Sequence, residues 1–202
     1  MSDPTKTLIE NRWSRSPIGT SRNFTQSKKM KQIKTNINRI DLVRLIKREG
    51  RAIELGVFKG HYSQIILENS NCFPSYSVDR WAGDRGHDQS EEQEARNRLS
   101  KYGERSIVEK LTFKQALKVC RETGLTFDFI YLDGYAHEGQ GDLSHFAEWF
   151  TLLNDGGIFA GHDYDQAFPK NVKNIDSFFQ VFELPFFLTN EKTYPSFYTF
   201  KR

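Results

Sequence analysis

Cysteine is nearly absent from this chain of 202 residues: only Cys72 and Cys120 occur, far apart and without metal-ligand spacing. That excludes a disulfide framework and a paired-cysteine zinc site, and the two thiols read as reduced groups of a cytoplasmic protein. Long apolar runs are also missing. None approaches the roughly 18 residues that a membrane span needs. The start, Met-Ser-Asp-Pro-Thr-Lys, has no apolar segment of the secretory type. Neither a membrane partner nor export is expected. Charge of one sign is scarce as well, with a formal net charge of only +3. The excess is local. Arg12, Arg15, Arg22, Lys28, Lys29, Lys31 and Lys34 occur with no acid between Glu10 and Asp41. No aromatic-interleaved platform for single strands accompanies them. Residues 1–35 therefore read as a solvated polar arm or lid rather than a nucleic-acid contact.

What is plentiful is aromatic side chain, with 17 Phe and 8 Tyr, enough for a packed globule. Hydrophobic periodicity divides residues 36–202 into alternating strands and helices, as one domain. Ile37, Ile40, Val43 and Ile46 recur near one helical turn over 36–50, with Gly50 as a cap. Arg51–Leu55 is a strand, Pro74–Asp79 a second and Ile107–Leu111 a third, with a charged helix over 91–102 between the last two. Lys114–Thr123 reads as a helix closed by Gly124. Phe127–Leu132 is apolar throughout, as a strand buried on both faces requires. Asp142–Leu153 is an amphipathic helix, Asn154–Gly157 a turn, and Ile158–Gly161 a strand. Phe182–Leu188 and Ser196–Phe200 read as antiparallel strands joined across Asn190-Glu191-Lys192. This order predicts a doubly wound α/β fold: a mostly parallel, seven-stranded sheet with an antiparallel C-terminal strand.

One junction stands out. Ile53-Glu54-Leu55-Gly56-Val57-Phe58-Lys59-Gly60-His61 is a strand, a glycine turn and a helix start. Phe58 occupies the central glycine position of a dinucleotide fingerprint. The turn is also one residue short of a P-loop and has His61 where that loop needs lysine. A nucleotide-like ligand without a pyrophosphate fits better. Glu54 and the turn from Gly56 to Gly60 would hold its polar end. Asp79, at the end of the second strand, suits a ribose diol, and Trp81 suits stacking on a base, a core role or a lid. Strands also end at Asp133-Gly134 and His162-Asp163. In a parallel sheet all of these ends meet on one edge. Asp133, His162 and Asp163 could hold a divalent cation, with Mg²⁺ or Mn²⁺ favoured by the oxygen ligands. Alternatively, His162 or His137 serves as general base in a metal-free site. His61 and His145 read as structural.

The pattern Glu54-Leu55-Gly56-x-x-x-Gly60-x-x-Ser63 resembles the first motif of class I S-adenosylmethionine-dependent methyltransferases of the catechol and macrocin O-methyltransferase type. Several further segments are similar to one small family of these enzymes, marked by D-G-x-H and G-H-D-Y motifs. They are Val78-Asp79-Arg80-Trp81-Ala82-Gly83-Asp84, Ile130-Tyr131-Leu132-Asp133-Gly134, His137-Glu138-Gly139, Asp142-Leu143, Gly156-Gly157 and Gly161-His162-Asp163-Tyr164. The resemblance covers about residues 50–200. It implies a Rossmann-like methyltransferase fold. Cofactor contacts are implied at Glu54, Gly56, Gly60, Asp79, Arg80 and Trp81, and catalytic roles at Asp133, His137, His162 and Asp163. In macrocin-type enzymes the acids matching Asp133 and Asp163 hold Mg²⁺, whereas the position of His162 carries an acid. The loop after Asp133 is shorter here than in the family, which leaves the role of His137 open. The implied reaction is O-methylation of a hydroxyl on a sugar or other small polar metabolite. A metal-independent N-methyltransferase and an inactive binding module of the same fold stand as alternatives. The oligomeric state, a homo-oligomer included, is not legible.

Overall fold

The computed structural model describes residues 32–47, 49–82, 90–134 and 143–202. The strands are β1 Gln32–Lys34, β2 Ala52–Leu55, β3 Ser75–Asp79, β4 Ser106–Lys110, β5 Phe127–Leu132, β6 Leu153–Gly161, β7 Phe186–Leu188 and β8 Phe197–Phe200. The helices are α1 Arg39–Arg44, α2 His61–Asn69, α3 Ser90–Leu99, α4 Phe113–Thr123, α5 Leu143–Thr151 and α6 Pro169–Phe182. A 3₁₀ segment, Ser100–Arg105, leads from α3 into β4.

The sheet runs β1-β7-β8-β6-β5-β2-β3-β4, and only β8 is antiparallel to its neighbours. The doubly wound, mostly parallel architecture is as the sequence predicts. Among the described residues it has eight strands rather than seven. The extra one, β1, comes from the stretch read as arm and pairs with β7.

Strand order reverses between β2 and β5. From β2 the chain proceeds through β3 to β4 on one side, and returns to β5 and β6 on the other. Such a switch point opens a crevice at the carboxyl ends of the strands. Two apolar layers bury the sheet. One joins Leu42 and Val43 of α1 with Tyr62 and Ile66 of α2 against Phe129 and Tyr131. The other sets Leu117, Phe146, Trp149, Ile175 and Phe178 from α4, α5 and α6 against Ile130 and Phe159. The phenylalanines concentrate in this second layer. Phe179 stacks on Phe186 at 4.4 Å between centroids, and Phe178 lies 5.4 Å from Phe159.

Three local readings are corrected. The helix expected over 36–50 ends at Arg44, where Leu45 and Ile46 make tighter bonds to the carbonyls of Leu42 and Val43. Gly50 lies instead against β5, where a Cβ would come within 2.1 Å of Asp128 Oδ2. The turn expected at 154–157 is an irregularity inside β6, with a register shift against β5 between Phe127 and Phe129. Phe182 ends α6, a helix not anticipated, so the following strand begins only at Phe186.

Candidate active site

Register makes the site. Val78, Leu55, Leu132 and Gly161 are paired across four parallel strands. The next residue of each strand is therefore Asp79, Gly56, Asp133 and His162, one row along the upper edge of the sheet. Backbone bonds carry the row past the strand ends: Gly56 N donates to Val78 O, Asp133 N to Leu55 O, and His162 N to Leu132 O, all at 2.8–2.9 Å. Above the row is a cavity of about 570 Å³, a size suited to a small ligand. Glu54, Gly56, Asp79, Arg80, Trp81, Asp133 and His162 all line it. Asp163 lies beneath, with its side chain 8% exposed. Gly60 faces away, where a Cβ would lie 3.2 Å from Ala95 Cα of α3. His137 lies outside the described residues. His61 and His145, read as structural, line the cavity as well.

The glycine turn is held by close backbone approach. Gly56 has φ +97°, and a Cβ there would sit 2.7 Å from Gly134 N. Asp79 secures the same turn. Its Oδ2 accepts from the amides of Val57 and Phe58 at 2.8 and 3.0 Å, and its Oδ1 accepts from Trp81 N at 3.1 Å. Trp81 is buried and donates from its indole to Phe58 O at 2.8 Å. Glu54 is buried at the base of the cavity. Ser63 donates to it and in turn accepts from Ser77, so a hydroxyl chain runs from β3 through α2 to β2. Burial pushes the Glu54 carboxyl well above its ordinary range. The Ser63 bond and Arg39 oppose that shift, and the charges of Asp133 and Asp79 add to it.

The other end of the row is a cluster of charges. His162 Nδ1 lies 2.9 Å from Asp163 Oδ1 and 3.2 Å from Asp133 Oδ1. Burial lowers the proton affinity of the imidazole, but the bonds to Asp133 and Asp163 outweigh it and push the pKa up to about 9. Arg39 Nη1 stands 3.0 Å from His162 Nε2, and Arg39 Nη2 stands 3.4 Å from Asp133 Oδ2. The approach of Nη1 decides the tautomer: when the ring carries a single proton it sits on Nδ1, and Nε2 accepts from Arg39. Asp163 itself adopts φ +60°, and Asn171 of α6 holds its carbonyl at 3.0 Å. A left-handed aspartate costs backbone energy and persists where its surroundings demand it.

Sequence reasoning missed Arg39 and Tyr62. Arg39 opens α1 behind a capping box formed by Asn38 and Asp41. Its guanidinium lies 4.4 Å from the Tyr62 ring centre and 5.6 Å from that of Tyr131. The available signal was a cation in the first turn of a helix, which runs against the helix dipole.

Asp133, His162 and Asp163 do place one ligand atom each within 4.8 Å of one another. As arranged they do not fit a resident divalent ion. Nδ1, the nitrogen beside both carboxylates, is 2.9 and 3.2 Å from their oxygens, so an ion would have to displace these contacts. The charge on Asp133 is also already met by a guanidinium.

A family model for a methyltransferase domain matches residues 53–164, more than half of the chain. The chain belongs to that methyltransferase family. It is a methyltransferase of the S-adenosylmethionine-dependent class, and the matched span contains the whole row from Glu54 to Asp163. No curated protein matches the sequence. Solved structures share the fold. The O-methyltransferase from Bacillus cereus, in complex with SAH, has 16% identity and a TM-score of 0.61 over 98% of this chain and 90% of its own. An O-methyltransferase family protein from Burkholderia thailandensis has 13% identity and a TM-score of 0.57, over 80% of this chain and 55% of its own. The precorrin 8w decarboxylase of Methanobacterium thermoautotrophicum has 12% identity and a TM-score of 0.58, over 80% of this chain and 88% of its own. Among the described residues of this methyltransferase, no helix is long and apolar enough to cross a membrane.

Proposed function

We propose that this methyltransferase moves a methyl group from S-adenosylmethionine to a hydroxyl oxygen of a small polar metabolite such as a sugar. The observation that carries the reading is the in-register row Asp79, Gly56, Asp133, His162 along one cavity. Asp79, with Arg80 and Trp81 beside it, is assigned to the nucleoside end. Gly56 lets the ligand approach the backbone, Gly60 permits the close seat of α3, and the Glu54 carboxylate takes the methionine ammonium. That order leaves the sulfonium methyl pointing toward Asp133 and His162. Transfer is an in-line displacement: the acceptor oxygen bonds the methyl carbon as the carbon–sulfur bond breaks, and the hydroxyl proton must leave. Asp133, which lines the cavity together with His162, takes that proton. His162 beside it and Asp163 beneath orient it. No step calls on a metal. The fold alone would not assign the acceptor, as the decarboxylase neighbour illustrates.

The test has two arms. Calorimetry with S-adenosylhomocysteine should show binding, and NAD should not bind. A small-metabolite screen with labelled S-adenosylmethionine should give an O-methylated product, and Asp133→Asn should lower turnover by about 10²–10⁴-fold, the usual cost of a lost general base. No binding at millimolar S-adenosylhomocysteine, or label transferred only to amines, would reject the reading.

A further inference from the structure

Arg39 is an unusual cation. It is largely withdrawn from water, with its side chain 26% exposed, and its Nε atom is buried with no hydrogen-bond partner among the described residues. Two aromatic rings, Tyr62 and Tyr131, pack against the guanidinium. Its backbone is held on both sides. The backbone amide of Arg39 donates to Glu191 Oε1 at 2.7 Å, and Tyr62 Oη donates to Arg39 O at 3.2 Å. Desolvation of this kind is costly unless the charge has work to do. Among the described residues the guanidinium's two polar contacts both fall on the acceptor cluster, one on His162 and one on Asp133.

We infer that Arg39 is the built-in cation of the acceptor site, a positioning residue that neutralises the Asp133–Asp163 pair and locks the His162 ring, so that no divalent ion is needed there. The inference rests on the assignment of this cluster to the acceptor end. Three features of the arrangement support it. One guanidinium and the Nδ1 proton of His162 face two carboxylates, which leaves at most one net negative charge without an ion. The Nη1 contact with Nε2 sets the neutral ring's proton on Nδ1, where it meets both carboxylates. A planar fork can bridge two acceptors of different kinds at once, which a spherical ammonium does not do as well.

The experiment is a Mn²⁺ titration of the full chain, followed by electron paramagnetic resonance, with and without S-adenosylhomocysteine. Wild type should bind Mn²⁺ no tighter than millimolar. Arg39→Met removes the competing charge and should tighten binding on the order of tenfold or more. Asp163→Asn in the Arg39→Met background should abolish the gain. Arg39→Lys, which keeps the charge, should stay closed to Mn²⁺ but lose the single Nδ1-protonated tautomer seen by ¹⁵N NMR of His162. Micromolar Mn²⁺ binding by wild type that Asp163→Asn abolishes would overturn the inference. So would a neutral ring protonated on Nε2 in wild type, a measurement that decides the matter even if Arg39→Met does not fold. Binding of S-adenosylhomocysteine, scored in the same samples, separates the two readings. Its failure sinks the proposed reaction, whereas tight Mn²⁺ binding with the cofactor product in place sinks only the role of Arg39.

Discussion

Glu54, whose proposed role is to hold the ligand, burdens the stability of the fold. It is 1% exposed, and among the described residues a serine hydroxyl is its hydrogen-bond donor. In the ligand-free protein its negative charge is poorly solvated, so its carboxyl titrates well above 4.5. Below that value the group is neutral in both folded and unfolded chains and costs nothing. As pH rises toward the elevated folded value, the unfolded chain gains from ionising and the folded one does not, so stability falls. Glu54→Gln removes this penalty while keeping an oxygen for Ser63. Urea unfolding should show the variant more stable than wild type by about 1 kcal/mol at pH 8 and nearly equal to it at pH 4.5. Affinity should move the other way. Loss of a charged partner for an ammonium costs roughly 1.5–3 kcal/mol, so S-adenosylhomocysteine binding should weaken by at least about tenfold in calorimetry. Equal affinity in the two proteins would remove Glu54 from the ligand. Glu54, Asp79, Asp133, His162 and Asp163 were all legible because each follows or ends an apolar run. Arg39 was not. It lies far from the strand ends in sequence and reaches them only because α1 packs on α2.

At the scale of elements, the turn from β2 into α2 depends on a neighbouring strand. Asp79 of β3 receives the amides of Val57, Phe58 and Trp81 and so ties the turn to its own strand. Phe58 and Trp81 also have left-handed backbones, with φ of 52° and 37°. Asp79→Ala should therefore lower folding stability by roughly 1–3 kcal/mol in addition to weakening S-adenosylhomocysteine. Asp79→Asn keeps one acceptor oxygen, so it should lose more affinity than stability. Denaturant melts and calorimetry on the same samples check both. Equal melting of Asp79→Ala and wild type would show that the turn stands without it. Elements with strong local signals were readable, such as α4, where a Thr112–Gln115 capping box and Gly124 mark the two ends. α6 was readable in principle from Pro169 at its start and from Val172, Ile175 and Phe179 at helical spacing. β1 was not, because three residues of alternating exposure carry no periodicity. Pairing with β7 is what makes them a strand.

At the scale of the whole molecule, the N-terminal edge and the C-terminal strands close the acceptor side together. Thr35 donates from its amide and its hydroxyl to Leu188 O at 2.9 and 2.7 Å, Asn190 N donates to Ile37 O at 2.8 Å, and Asn190 Nδ2 donates to Asn36 O at 2.9 Å. These bonds seat the residues immediately before Arg39. A chain beginning at residue 32 should fold and bind S-adenosylhomocysteine. A chain beginning at residue 38 loses β1 and this seam, and its thermal midpoint should fall by roughly 10 °C. Calorimetric scans of the two truncations test the difference, and equal midpoints would mean that the edge strand contributes nothing. By itself the sequence determined the alternation of strands and helices, and hence the parallel sheet with its acids at the strand ends. Those features follow from local periodicity, turn chemistry and the burial of apolar runs. Tertiary structure alone decided the eighth strand, the level row of Asp79, Gly56, Asp133 and His162, and the guanidinium set against them. Register and long-range packing arise from contacts between residues distant in sequence, 23 positions apart for Leu55 and Val78 and 123 for Arg39 and His162, which no local pattern encodes.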